Sequence, residues 1–332
     1  LKIWFDFLLF INLLARLAQE RYDVLYAHEE GALLARLAGA IFRIPYIYDM
    51  HSSLPLQITD WKFSERASVI AVFRWIERLS VRGACAVVAI SPAVARAAHS
   101  AGPDTPCVLL ANHLETDVVV PHEEVMAVRP RHGIPLERKL VVYAGSFVAL
   151  QALDLLLDAI PEVLASVPNT TFLLVGGSDP EIASLKAQAV RLGITDHVIL
   201  ERSLPQAAIP AYYAAADVLV SPRVQGINSP GKLLNYLASG RPVVATDTLV
   251  HNQLLTDKSA ILTPPNASGL AAGLVTALTD PVRVADVVAG AGKLLGRYSS
   301  KADRDTAYQT ALDAAQVAAL GRLRRGKSKT PA

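Results

Sequence analysis

Short apolar runs alternate with segments of helical period along nearly the whole chain, and this alternation limits the fold more than any other feature. In the first part the strand-like runs are residues 23–27 (DVLYA), 45–48 (PYIY), 84–90 and 107–110. Helical spacing lies between them at 30–40 and 65–81, and a third helix opens at Ser91-Pro92, a capping residue followed by proline where its missing N–H is harmless. In the second part the strand-like runs are 140–144, 171–176, 197–200, 217–220, 242–246 and 260–262. Helices are expected between them at 153–167, 180–192, 206–216, 230–239 and about 251–255. Strands apolar on both faces with intervening helices predict parallel sheets covered on both sides, so the fold class is α/β and doubly wound. Ligands are then expected beyond the carboxyl ends of the strands.

The 332 residues are roughly twice an average domain of about 150. Residues 112–139 carry Pro121, Pro130 and Pro135 without periodicity and read as a linker with a short connecting helix. The expected organisation is a first Rossmann-like domain over 1–125, a second over 126–300, and a C-terminal helix with a basic tail over 301–332. Two such domains are expected to face each other across a cleft. The first has few strands for a doubly wound domain, so it is expected to be incomplete, its missing part lying before Leu1.

Apolar residues make up 52% of the chain and charged residues 19%, with mean hydropathy +0.32, which excludes a disordered chain and permits a large core. Cys85 and Cys107 are the two cysteines; each sits in an apolar run and reads as a reduced core cysteine of a cytoplasmic protein. The formal charge of +2 conceals a basic tail. Removing Arg322, Arg324, Arg325, Lys327 and Lys329 from the count leaves 27 basic against 30 acidic residues, a net −3. A mildly acidic body argues against nucleic acid as a partner. The tail reads either as a solvated end or as a contact with anionic lipid at the inner membrane face.

The first seventeen residues are helical in pattern but are interrupted by Lys2, Asp6, Asn12 and Arg16, too often for a membrane span of about 20 apolar residues. They lack a secretory cleavage site. A core-packing helix is expected, with an amphipathic helix lying on a membrane as the alternative.

Chemistry-bearing residues cluster at predicted strand ends. After 217–220 come Ser221, Arg223, Gly226, Asn228 and Ser229; Ser229 is expected to cap a helix with Pro230 first. That end would offer backbone N–H groups to an anion, with Lys232 in the first turn and Asn235 on the same face. A cation there opposes the helix dipole, which a phosphate would offset. Gly145-Ser146-Phe147 after 140–144, with Gln151 shortly beyond, and Gly176-Gly177-Ser178 after 171–176, form two further glycine turns at strand ends. Together they point to a nucleotide or phosphorylated ligand. In the first domain His51 follows 45–48 within Asp49-Met50-His51-Ser52-Ser53, where an acid/base role and a structural histidine are both open. His28-Glu29-Glu30 falls in the same region. Gly290-Ala291-Gly292-Lys293 has the wrong spacing for a phosphate loop, and Asp303-Arg304-Asp305 lies in a charged helical stretch. The zinc-protease and serine-hydrolase signatures are absent from the sequence.

From Tyr22 to Tyr298 the chain resembles glycosyltransferase family 4, on the strength of YDVLYAHE, IPYIYDMHS, AISPAVARAA, YAGSF, FLLVGGS and NYLASGRPVVAT. The resemblance implies the GT-B fold, a nucleoside diphosphate sugar as donor held by the second domain, an acceptor at the first, and retention at the anomeric carbon. It implies no tightly bound cofactor and no catalytic metal. His51 falls on the family's active-site histidine, Gly145 on its glycine turn by the donor phosphates, and residues 230–240 on the helix facing the donor. The family's diphosphate-binding Arg and Lys fall on Ser146 and Gln151, and its two glutamates on Ile227 and Asn235. Asn228, Pro230 and Lys232 suggest a branch that varies these positions, with Arg223 or Lys232 supplying the missing charge. The function implied is a hexosyltransferase of polysaccharide biosynthesis acting on a saccharide or lipid-linked acceptor. Two alternatives remain open: a degenerate relative that binds a nucleotide or partner without catalysis, and a GT-B sugar-nucleotide epimerase.

Overall fold

The computed structural model describes residues 2–55, 66–110, 120–226, 230–296 and 301–327. The chain divides into two compact units, one of residues 1–111 with 300–332 and the other of residues 112–299.

The first unit is built on four parallel strands, β1 (Leu25–His28), β2 (Tyr46–Met50), β3 (Ala86–Ala89) and β4 (Cys107–Leu109), in that spatial order. Helices α1 (Lys2–Gln19), α2 (Gly31–Phe42), α3 (Ala67–Gly83) and α4 (Pro92–Ala101) connect or precede them. The start of α4 is as expected, with the Ser91 hydroxyl accepting from Val94 N–H and Pro92 next. Alternation along the strands sorts the core into two layers. Tyr46, Tyr48, Met50, Val87 and Ala89 pack under α2 and α4. Ile47, Ala86 and Val88 face the opposite way, onto Ala311 and Ala315 of the C-terminal helix Lys301–Lys327. That helix therefore closes the open face of the first sheet, presenting alanines one turn apart.

The second unit holds six parallel strands: β5 (Lys139–Ala144), β6 (Thr170–Gly177), β7 (Val198–Arg202), β8 (Val218–Ser221), β9 (Val243–Thr246) and β10 (Ile261–Thr263). Their order is β10-β9-β8-β5-β6-β7. The helices are α5 (His122–Arg131), α6 (Leu153–Ser166), α7 (Asp179–Leu192), α8 (Ile209–Ala215), α9 (Lys232–Ala238), α10 (Leu249–Asn252), α11 (Ala267–Thr279) and α12 (Pro281–Leu295). Val141, Tyr143, Phe172 and Leu174 pack against α6, α7 and α11 on one face. Leu140, Val142, Leu173 and Val175 pack against α8 and α9 on the other. Burial of each such large apolar side chain is worth about 1.5–3 kcal/mol, which is why these strands read as unbroken apolar runs.

Both units are thus parallel-sheet, Rossmann-like α/β domains. Three local expectations are overturned. First, α1 is not a core helix: Trp4, Phe5, Phe7, Leu8, Leu9 and Ile11 are exposed and Leu17 is buried, because apolar residues surround the helix and only a narrow stripe can meet α2. Second, Cys107 is exposed on the edge strand β4, while Cys85 is half-buried and donates its thiol to the Tyr46 carbonyl; the two form no disulfide with each other. Third, the expected helix at 230–239 starts at Lys232, not Pro230: the chain first turns, with Leu233 N–H donating to the Pro230 carbonyl. The Ser229 cap, like Asn228, lies outside the described residues.

Candidate functional site

In the second unit the strand order reverses direction at β5, whose neighbours are β6 on one side and β8 on the other. Connections after β5 and β8 therefore leave in opposite directions and part at their carboxyl ends, where a doubly wound sheet opens a ligand crevice. Gly145 follows β5, and the loop with Arg223 and Gly226 follows β8.

The glycines there are dictated by close approach. Gly145 has φ 152° and Gly176 φ 125°, and a Cβ on Gly176 would lie 2.2 Å from the Gly145 carbonyl oxygen. The turn after β5 is held flat against the turn after β6. Tyr143 donates its hydroxyl to the Ser146 carbonyl at 2.7 Å, which pins the same turn from below. Gly226 is favoured by its φ of 111°, and the Arg223 guanidinium folds over it, 2.0 Å from where a Cβ would stand. Arg223 in turn donates from Nε to the Gln225 carbonyl.

Lys232 crosses from α9 to this place. Its Nζ lies 3.7 Å from the centroid of the Tyr143 ring and donates to Gln151 Oε1 at 3.1 Å. A Cβ on Gly145 would sit 3.3 Å from that nitrogen. The Tyr236 ring lies 5.9 Å away, and the Tyr236 hydroxyl donates to the Ala144 carbonyl while accepting from Ala144 N–H. Lys232 as a whole is half-buried, and its ammonium lies between the rings. Burial, with help from the Arg223 charge, holds the amine well below the ordinary lysine range. A cation so placed is stabilised by the aromatic faces and by one amide oxygen, and is poised for an anion.

A polar chain supports the β8 loop from behind. His251 is fully buried; its Nε2 meets the Ser221 hydroxyl at 2.9 Å and its Nδ1 the Thr246 carbonyl at 2.8 Å. The Thr246 hydroxyl donates to the Arg223 carbonyl. Desolvation pushes the imidazole down to about 4, so it is neutral, donating to Thr246 and accepting from Ser221.

In the first unit, β1 and β2 pair in register with His28 opposite Asp49, so both side chains share a sheet face at the carboxyl end. His51 leaves β2 two residues on. His28 Nδ1 lies 3.2 Å from Asp49 Oδ2, and His51 Nε2 3.3 Å from Asp49 Oδ1. The two imidazoles meet edge to face at 4.3 Å. Glu29, in the left-handed region (φ 47°), turns its carboxylate onto His51 N–H and the Ser52 hydroxyl, both at 2.8 Å. Glu77 reaches Leu54 N–H at 3.0 Å. Two carboxylates thus fix the loop that carries His51.

Of the residues singled out in the sequence, the structure gathers Gly145, Gln151 and Lys232 into one cluster, and places Arg223 and Gly226 on the adjoining loop. Ser146 is exposed within the β5 turn, its carbonyl engaged by Tyr143. Asn235 is exposed one turn beyond Lys232. Tyr143, Tyr236 and His251 were missed. Tyr143 and Tyr236 read as ordinary core aromatics in an apolar run, and only the lone charge of Lys232 hinted that rings were needed nearby.

Residues 4–113 match the glycosyl transferase 4-like domain family, and residues 138–280 match the family of glycosyl transferases group 1. The chain is 34% identical over 157 residues to the GDP-mannose-dependent alpha-(1-6)-phosphatidylinositol monomannoside mannosyltransferase of Mycolicibacterium smegmatis, covering 45% of this chain and 41% of that protein. It is 27% identical over 290 residues to the phosphatidyl-myo-inositol mannosyltransferase of Mycobacterium tuberculosis, covering 85% of this chain and 71% of that protein. Among solved structures, Anabaena HepE in complex with UDP superposes with a TM-score of 0.76 at 20% identity, covering 91% of this chain and 81% of that one. That likeness speaks for the fold, which is GT-B. In sequence order, then, a stretch similar to the glycosyl transferase 4-like domain is followed by one similar to the glycosyl transferases group 1.

Proposed function

We propose that the protein transfers a hexosyl unit from a nucleoside diphosphate sugar to a saccharide or lipid-linked acceptor, with retention at the anomeric carbon. The second unit would hold the donor and the first the acceptor. The observation that carries this reading is the meeting of Lys232 Nζ with Gln151 Oε1 at 3.1 Å. The resemblance expects a diphosphate-binding lysine at position 151. Here the cation comes from a different element and arrives at the same spot.

In this mechanism the donor diphosphate lies over the Gly145 turn, beside Ser146 and Gln151, with its oxygens toward Lys232 and Arg223. As the glycosidic bond breaks, negative charge grows on the leaving diphosphate, and a preformed, partly desolvated cation stabilises that growth more than it stabilises the ground state. Gly226 would lie on the same loop, and Asn235 would offer a hydrogen bond to a donor hydroxyl. His51 would contact the transferring sugar, held in position by Glu29. No tightly bound cofactor is needed in this scheme.

The named relatives point to GDP-mannose as the first donor to test and to an inositol lipid as the first acceptor. A lipid acceptor agrees with peripheral contact at the inner membrane face through the exposed aromatic residues of α1 and the basic tail. Among the described residues, no helix is long and apolar enough to cross a membrane. The test is a transfer assay with labelled GDP-mannose and UDP-glucose against inositol-lipid vesicles and soluble saccharides, with the product's anomeric configuration read by NMR. A product with the donor's configuration is expected. Sugar-nucleotide interconversion without an acceptor would identify an epimerase. Ile227 and Asn235, standing where the resemblance expects acids, favour the second reading of a nucleotide-binding relative without turnover; nucleotide binding with no product from any pair would establish it.

A further inference from the structure

The His28–Asp49–His51 cluster has a property that sugar transfer does not require. Three side chains bring three ligand atoms, His28 Nδ1, a carboxylate oxygen of Asp49 and His51 Nε2, all within 4.8 Å of one another. Each imidazole already stands at a ligand-like distance from the carboxylate, His28 Nδ1 3.2 Å from Oδ2 and His51 Nε2 3.3 Å from Oδ1, so Asp49 turns one oxygen toward each ring. Ligands about 2.05 Å from a tetrahedral zinc-class ion lie about 3.3 Å apart along each edge. The two imidazole nitrogens lie within 4.8 Å of each other, and the exposed His28 ring has room to turn toward a shared ion.

The parts around the cluster behave as a support. Pairing of β1 with β2 fixes the backbones of His28 and Asp49. Glu29 holds His51 N–H and Ser52, so the loop presenting the second imidazole is tethered. Two imidazoles and one carboxylate with open outer positions suit divalent transition ions and are poorly matched to magnesium or calcium, which take oxygen ligands.

We propose that His28, Asp49 and His51 bind one divalent transition-metal ion of the zinc class at the carboxyl end of the first sheet, with water completing its coordination. The proposal does not rest on the transfer reaction proposed above: its observations come from the first unit alone, and its test needs no turnover. Bound metal would occupy the two imidazoles, one of them assigned above to the sugar, so metal is expected to act as an inhibitor and not as a cofactor.

The experiment titrates the full chain, stripped with chelator, with zinc by calorimetry and with cobalt by visible absorption. One equivalent should bind, and the cobalt form should show the intense d–d bands of low-coordinate nitrogen and oxygen ligation. His28→Ala, Asp49→Asn and His51→Ala should each weaken zinc by at least roughly tenfold, the lower end of what even outer-shell changes cause. His99→Ala, a change at an exposed histidine outside the cluster, should leave affinity unaltered. Circular dichroism checks that each variant folds; His28→Ala alters only an exposed side chain and keeps the test usable if another variant does not. Absence of saturable binding, or binding equally strong in His28→Ala and Asp49→Asn, would overturn the proposal and leave the cluster a hydrogen-bonded trio.

Discussion

Replacing Lys232 by methionine should stabilise the ligand-free protein while removing its affinity for diphosphate. The ammonium lies 3.7 Å from the Tyr143 ring centre and 3.1 Å from Gln151 Oε1. The cation–π contact is worth about 0.5–2 kcal/mol and the charged hydrogen bond about 1.5–3 kcal/mol. Against them stand the desolvation of the ammonium, several kcal/mol, and repulsion from Arg223. Methionine fills a similar volume without the charge, so a net stabilisation of about 1–2 kcal/mol is expected in urea unfolding. With a diphosphate about 4 Å from the nitrogen, the lost attraction is about 4 kcal/mol at an effective dielectric of 20. Partial solvation reduces this to about 2–4 kcal/mol, or roughly 30- to 1,000-fold in Kd by calorimetry. The pH dependence follows the same logic. The folded amine titrates below its unfolded value, so the unfolded chain binds more protons between the two, and stability rises with pH across that window. Lys232→Met should abolish that rise. A variant that is less stable by more than about 1 kcal/mol and binds nucleoside diphosphates as before would refute the reasoning.

Three further outcomes are expected. Gly176→Ala sets a Cβ 2.2 Å from the Gly145 carbonyl at φ 125°, so it should destabilise by more than about 2 kcal/mol in thermal or urea unfolding and loosen nucleotide binding. His251 titrates near 4 when folded and near 6.5 when unfolded, so its contribution is complete above 6.5 and is lost as pH falls toward 4, about 3 kcal/mol in all. His251→Gln should flatten that part of an acid-unfolding curve, and an unchanged slope would count against a neutral buried imidazole. His51→Ala should cut transfer by roughly 100-fold or more, as removal of a positioned acid/base or dipolar group does, while leaving the nucleotide Kd within about twofold. Equal loss of both would place His51 in the donor's ground-state contacts.

The sheets were legible because burial on both faces leaves an unbroken apolar run, as in LVVYA before Gly145 and FLLV before Gly176. Alternation of β and α then sufficed for the architecture. The helix Ala267–Thr279 escaped notice because alanine, glycine and threonine give it little contrast between faces, and packing on α6, not pattern, forms it. The return of the C-terminal helix to the first sheet was equally hidden, since alanines at positions 311 and 315 carry no signal of a distant partner. At the candidate site, glycine turns showed where a ligand could approach, and Lys232 was conspicuous as a lone charge. Its depth was not readable, because that depends on Tyr143 and Tyr236, residues far from each other in sequence that the strand register and α9 bring together. The start of α9 was misplaced by two residues, since proline after a serine suits a turn as well as a first helical position.

Hydrogen exchange of backbone amides, with and without a nucleoside diphosphate sugar, puts the central claim to its most direct trial. Protection by GDP-mannose or UDP-glucose should concentrate at residues 145–148 and 222–226 and should disappear in Lys232→Met. Protection confined to other strand ends, or none with any nucleotide sugar, would contradict a donor site built around Lys232.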